Sequence, residues 1–336
     1  MSELILFGRP LPDLPVTSTL PDWQQADPRW MAHALQIALG RSGGGWFVVD
    51  ERRRFGAQPR RYRIDDRDLV VWHGPNGLLA APDRCPHMGA SLAAGCVRNG
   101  RLVCPWHGLE LGDKPHGPWR PLPLHDDGVL VWVRLDDAGE TLTDRPVLPE
   151  RPRQYIDAVV RLEARCRPED LLANRLDPWH GVHYHPHTFR RLRVVERRDD
   201  EITVRVAFAV IGRLAVEVDA RFHCPDPRTI VMTIVRGDGL GSTVETHATP
   251  IDEHRCAVIE ATLATSDRPQ FRHVVRLARW ARPWLERRAQ RLWVEDVAYA
   301  EQRRAVLDRS PVVREHYQVQ RGEQSQRKDK GRKDRR

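Results

Sequence analysis

The segment "DRCPHMGASLAAGCVRNGRLVCPWHGLEL", residues 83–111, carries two Cys–His pairs, Cys85-Pro-His87 and Cys104-Pro-Trp-His107, with 16 residues between His87 and Cys104. Two loops present these four side chains. Each loop is stiffened by a proline, Pro86 or Pro105, and Gly108 follows the second. A Cys₂His₂ zinc site is the plain alternative. Zinc fingers, however, pair like with like, two cysteines from one hairpin and two histidines from another. Here each loop donates one thiolate and one imidazole. That alternation suits a two-iron cluster in which one iron takes both sulfurs and the other both imidazoles, and neutral imidazole ligands raise its potential.

Short apolar stretches flank the loops: "GWFVVD", "DLVVWH" and "GLLAAP" before them, "GVLVWVRL" after. They predict a small all-β domain over residues 46–140. "CPHMGASL" and "CPWHG" resemble the two halves of a Rieske [2Fe–2S] motif. The resemblance covers the small domain and assigns Cys85, His87, Cys104 and His107 as cluster ligands. By itself it fits an electron carrier as well as an enzyme.

A second constellation decides between these. "EDLLANRLDPWHGVHYHPH", residues 169–187, contains Asp177-x2-His180-x4-His185 after Asn174. Two histidines and a distant carboxylate make the facial triad of non-haem Fe(II) oxygenases. The pattern resembles the catalytic domain of Rieske non-haem iron oxygenases. That resemblance selects His180 and His185 as iron ligands, with His183 as fallback. It also makes Asp177 a bridging residue behind a ligating imidazole, and Asn174 and Asp177 the catalytic candidates. The third ligand comes from "LERRAQRLWVEDVAYAEQRR". There Leu285, Ala289, Leu292 and Asp296 share one helical stripe, and a buried acid needs a partner. Glu295 falls with Arg288, Arg291 and Gln302 on the polar face, where it is expected to be a solvated acid. Asp296 is therefore the carboxylate ligand, with a buried ion pair to an arginine as the alternative.

Residues 1–45 read as an N-terminal extension with a short helix on Trp30, Ala34, Ile37 and Leu39, stopped at Gly40. "DDAGETLTDRPVLPERP" reads as a linker. In residues 151–317, Ile202, Val204, Val206, Phe208 and Val210 share one strand face. Leu214, Val216, Val218 and Phe222 oppose Glu217, Asp219 and Arg221, and three more strands follow. A helical stretch from Pro269 to about Val306, broken or kinked near Pro283, closes the domain. The expected class is α+β: a small Rieske domain, then a curved antiparallel sheet packed on a long C-terminal helix, helix-grip or START-like.

The net charge of +8 could suggest a nucleic-acid partner. However, Gln318 to Arg336 holds eight Lys/Arg and three Asp/Glu, leaving only +3 for the rest. Residues 318–336 are expected to be a disordered basic tail, and no nucleic-acid partner is expected. No run approaches 18 apolar residues, so no membrane span is expected, and the N-terminus lacks a secretory signal. A cytoplasmic location is inferred. Cys96, Cys166, Cys224 and Cys256 are expected to be small core residues.

The resemblance implies a terminal oxygenase, usually a homotrimer, inserting oxygen from O₂ into a substrate beside a mononuclear Fe(II). Electrons would come from a separate reductase or ferredoxin through His107, Asp177 and His180. No GxGxxG dinucleotide unit is present. The apolar sheet face favours a hydrophobic small molecule, terpenoid, carotenoid or aromatic, with hydroxylation favoured over demethylation. No fixed counter-charge stands out.

Overall fold

A computed structural model describes residues 5–12, 22–211 and 214–310. The basic tail lies outside the described residues, as does the side chain of Val210.

The Cys/His segment sits on three small antiparallel sheets: Trp46–Glu51 with Leu130–Arg134 and Leu124–Asp126; Arg60–Ile64 with Arg67–Gly74 and Gly77–Pro82; and Cys96–Arg98 with Arg101–Val103 and Glu110–Leu111. "LVVW" in Arg67–Gly74 explains their arrangement. Side chains alternate across a strand, and here both faces are covered. Leu69 and Val71 join Phe47, Ile64 and Val131 in one core, while Val70 and Trp72 pack with Cys85 and Cys104 in another. The hairpin at Ile64–Arg67 turns through Asp65 and Asp66 at φ 49° and 61°. This is the both-positive turn that matches strand twist. The two turn N–H groups donate to the carbonyls of Pro250 and Ile251 at 3.0 and 2.9 Å, docking this body on the second.

The second body is one sheet, antiparallel along its main path, with Ile5–Phe7 added in parallel beside Leu214–Val216. It runs from Ile156–Ala164 through Arg255–Ala264, Thr243–Asp252, Thr229–Gly237, Leu214–Asp226 and Glu201–Ile211 to Phe189–Arg197. The helix Ala278–Arg309 lies against Ile156–Ala164, and the helix Pro168–Leu176 packs between it and the sheet. The α+β class with a long C-terminal helix follows expectation.

Four local expectations are corrected. The N-terminal helix, Pro28–Leu39, is capped by Asp27. It buries Trp30, Ala34, Leu35 and Ala38 against Leu171 and Leu172, leaving Leu39 exposed, so its apolar face is rotated from the expected one and belongs to the second body's core. The helical break falls at Leu277, between Phe271–Arg276 and Ala278–Arg309. Pro283 therefore lies in the second turn of a continuous helix. Asp219 is not a solvated outer-face acid. It is 0% exposed and held by Arg205 at 2.7 and 3.0 Å, and the N-terminal segment reaches over that face, where the Pro12 carbonyl accepts from Arg205. Cys96 is exposed on its short strand, while Cys166, Cys224 and Cys256 are buried.

The expected linker is anchored at its end. Arg151 donates to Glu245 of the sheet at 2.6 and 2.7 Å and to Asp127 of the small domain at 3.0 Å. Trp132 donates to the same Asp127 at 2.8 Å. Burial would push both carboxyls up, but the Arg151 guanidinium outweighs it and holds them below the usual range.

Removing one member of a buried pair strands the other charge, at about 3–5 kcal/mol. Arg151→Met is expected to lose that much in urea unfolding. A folded-state carboxyl pKa below its unfolded value stabilises above the unfolded value, near about 4, and that contribution is lost as pH falls through the depressed folded value. The wild type should therefore lose stability more steeply than Arg151→Met on acidification below about pH 4.5. Parallel acid profiles would remove the clamp.

Candidate metal centres and cavity

The two cluster loops have the same backbone. Cys85 N–H donates to Ala90 and Gly89 N–H returns to Cys85; Cys104 N–H donates to Leu109 and Gly108 N–H returns to Cys104, all at 2.8–3.0 Å. Gly89 and Gly108 take φ of 80° and 72°, where a side chain would be strained. Gly89 was not singled out from sequence, though its offset from Cys85 equals that of Gly108 from Cys104.

Cys85 and Cys104 are buried, whereas His87 and His107 are exposed with ring centroids 4.8 Å apart. Thiols form an inner tier and imidazoles an outer one, which fits a two-iron cluster with one iron at each tier. Burial works to raise both thiols. At Cys104 the N–H groups of Trp106 and His107 and the Cys85 thiol outweigh it, so that Cys104 is lowered and Cys85 raised.

The second constellation forms where a helix ends. Pro168–Leu176 stops at Asp177, and Pro178 starts the short helix Trp179–Tyr184, which carries His180 and ends at His185. His180 Nε2 and His185 Nε2 each lie 2.9 Å from Asp296 Oδ1. One ligand atom from each of the three residues lies within 4.8 Å of the other two. The opposite ring nitrogens are engaged: His180 Nδ1 donates to the Asp177 carbonyl, and His185 Nδ1 lies 2.6 Å from Glu295 Oε2. With Nδ1 so engaged, Nε2 is in each ring the nitrogen that faces the carboxylate and the one a metal would take. Asn174 Nδ2 sits 3.1 Å from Asp296 Oδ1 and 3.2 Å from His180 Nε2.

Asp296 is 1% exposed. Burial would raise its pKa, but hydrogen bonds from His180 and His185 hold it well below the usual range. Burial alone would lower His185, and Asp296 and Glu295 together raise it. His183 is exposed, so the fallback ligand does not converge.

Two contributors differ from the sequence reading. Glu295 is not simply a solvated acid: it bonds His185 and also approaches His187 and Arg291. The preceding residue of a helix lies about 100° away, near enough for a long carboxylate to reach round. Tyr299, three residues after Asp296, was missed. Its ring stacks on His180 at 4.7 Å and its hydroxyl donates to Asp177 Oδ2 at 3.0 Å. Asp177 Oδ1 is buried and has no partner among the described residues.

Asp296 borders a cavity of about 260 Å³. Leu285, Ala289 and Leu292 line it with Val204, Val206 and Phe208. Fixed charge is present after all: Arg175 and Glu260, paired at 3.0 Å, belong to the wall.

A family model described as "Rieske [2Fe-2S] domain" matches residues 45–127, and one described as "Domain of unknown function (DUF5914)" matches residues 137–310, over half of the chain. The chain is 28% identical over 160 residues to the oxygenase component of dicamba O-demethylase from Stenotrophomonas maltophilia, covering 42% of this chain and 46% of that protein. It is 29% identical over 214 residues to 4beta-methylsterol monooxygenase from Methylococcus capsulatus, covering 54% and 58%. The chain thus spans about half the length of these curated relatives. The crystal structure of dicamba monooxygenase bound to dicamba superposes with a TM-score of 0.58 at 23% identity, over 79% of this chain and 89% of that one, a likeness of fold.

Outer partners that orient a ligating imidazole are worth about 10–100-fold in metal affinity. Glu295→Gln is expected to weaken Fe(II) or Co(II) binding by that factor, and Asp296→Ala to abolish it, with the visible absorption of the cluster unchanged in both. Wild-type metal affinity in Glu295→Gln would leave the Glu295–His185 bond without a role.

Proposed function

Since the chain belongs to the Rieske non-haem iron oxygenase family, we propose that it is the terminal oxygenase of a multicomponent system acting on a hydrophobic small molecule. One observation carries the reading: a carboxylate and two imidazoles converge at the wall of an apolar cavity. A pure electron carrier needs neither.

In this reading Cys85, His87, Cys104 and His107 hold a [2Fe–2S] cluster, and His180, His185 and Asp296 hold a mononuclear Fe(II). When bound, these groups supply electron delivery and the activation of O₂. The chain's own residues do the rest. Asp296 would contribute the one anionic oxygen to the charge of a bound Fe(II). Glu295 and the Asp177 carbonyl orient the two imidazoles. Asn174 holds the Asp296 oxygen and the His180 ring in register. Asp177 is tethered by Tyr299 through one carboxylate oxygen, and its place three residues before His180 supports a bridging role toward a neighbouring subunit of a homotrimer. The Val, Leu and Phe wall excludes water from the reacting centre.

The cavity volume suits one ring system, an aromatic substrate or the ringed end of a terpenoid or carotenoid, and the Arg175–Glu260 pair and Arg288 offer it polar contacts. Relatives named for demethylating dicamba and for oxidising a methylsterol support a compact ringed substrate. Electrons would come from a separate ferredoxin or reductase. Hydroxylation of such a substrate, read as ¹⁸O incorporation from ¹⁸O₂, tests the reaction class. Product without label would refute it.

Two variants test the parts. Cys104→Ser should abolish the Rieske EPR signal of the reduced protein. Asp177→Asn should retain both metals and nearly eliminate turnover, because the anionic bridge is lost while an amide oxygen can still accept from Tyr299. Near-wild-type product formation would refute the Asp177 assignment.

A further inference from the structure

The start of the C-terminal helical region is built unlike the rest of the surface. From Arg268 to Arg291 the chain carries eight arginines and a single acid, Glu286. Leu277, Trp280 and Trp284 recur at helical spacing on one stripe, and all three are exposed, the indoles by 72% and 57%. Arg287 and Arg291 continue the same stripe and are exposed, as are Arg272 and Arg276 on the preceding turns. Large aromatic side chains this open to water mark a contact surface.

The stripe adjoins the cavity. Leu285, Arg288, Ala289 and Leu292 line the cavity from the same helix, one residue out of phase with the tryptophans. The Arg288 guanidinium lies over the Trp284 ring at 5.7 Å, so one arginine touches both the cavity and the aromatic stripe. The side chain of Glu286 approaches Arg53 at 3.7 Å.

We propose that this helix docks the protein on an anionic lipid bilayer, with Trp280 and Trp284 in the headgroup zone, and that the cavity is loaded from the membrane beside them. Indoles favour the interface between headgroups and acyl chains, and exposed arginines among them add attraction to anionic lipid. Among the described residues no helix is long and apolar enough to cross a membrane, so the attachment is to a surface. The inference shares with the proposed function only the apolar cavity.

The test is flotation of the full-length holoprotein with phosphatidylcholine vesicles, with and without about 30% phosphatidylglycerol. Wild type should float with the anionic vesicles and be released by salt. Trp280→Ser/Trp284→Ser should float at least about tenfold less while keeping its melting temperature. Both proteins retain the basic tail from Gln318 to Arg336, so equal flotation of variant and wild type would assign binding to the tail and overturn the proposal. Failure of wild type to float would overturn it too. A change in molar mass by light scattering between wild type and variant, without lipid, would identify the face as a contact between copies and overturn it likewise. None of these readouts uses turnover. Failure of the oxygenase reading would appear instead as unlabelled product, with flotation intact.

Discussion

The Asp296 carboxylate, 1% exposed on the wall of an apolar cavity, is the constraint to which the second body is built. An ionised group taken out of water must be paired and hydrogen-bonded. Asp296 Oδ1 meets two imidazoles and one amide. Bringing His180 and His185 to one oxygen requires the chain to stop a helix at Asp177 and begin another within two residues. The stop does not waste its backbone, since the Asp177 carbonyl accepts from His180. The local break and the site are therefore one feature.

The helix Ala278–Arg309 supplies this site on successive phases. Leu285, Ala289, Leu292 and Asp296 face the cavity, Glu295 reaches His185 from the adjoining phase, and Tyr299 stacks on His180 one turn later. A continuous helix holds such offsets more rigidly than loops would, which matters where imidazole orientation sets metal affinity.

The two bodies are joined by polar groups taken out of water. Arg151 bridges Asp127 and Glu245, and the Asp65–Asp66 turn donates to Pro250 and Ile251. Their net contribution is modest, because separating the bodies returns both partners to water, but a misplaced docking would leave a partner buried and unpaired. They fix how the small domain sits on the sheet.

Much was legible from sequence because the chemistry is local. The Cys–His alternation, the Asp177–His180–His185 spacing and the period of the strands and of the Leu285–Asp296 stripe depend on neighbours within a few residues, and those patterns carry the α+β class and the converging side chains. What sequence could not carry depends on what covers a surface. Asp219 reads as an outward acid because alternation says which face a residue takes, not whether an N-terminal segment lies over that face. Leu35 and Ala38 rather than Leu39 are buried because the helix angle is set by Leu171 and Leu172, more than a hundred residues away. Glu295 reads as solvated because helical phase places a Cβ, whereas a carboxylate with two further carbons can reach a histidine that only the fold brings alongside. The sequence by itself determined which side chains carry metal-ligating chemistry and on which elements they ride. The tertiary structure alone decided which of them are buried together, because burial belongs to distant segments meeting rather than to any one of them.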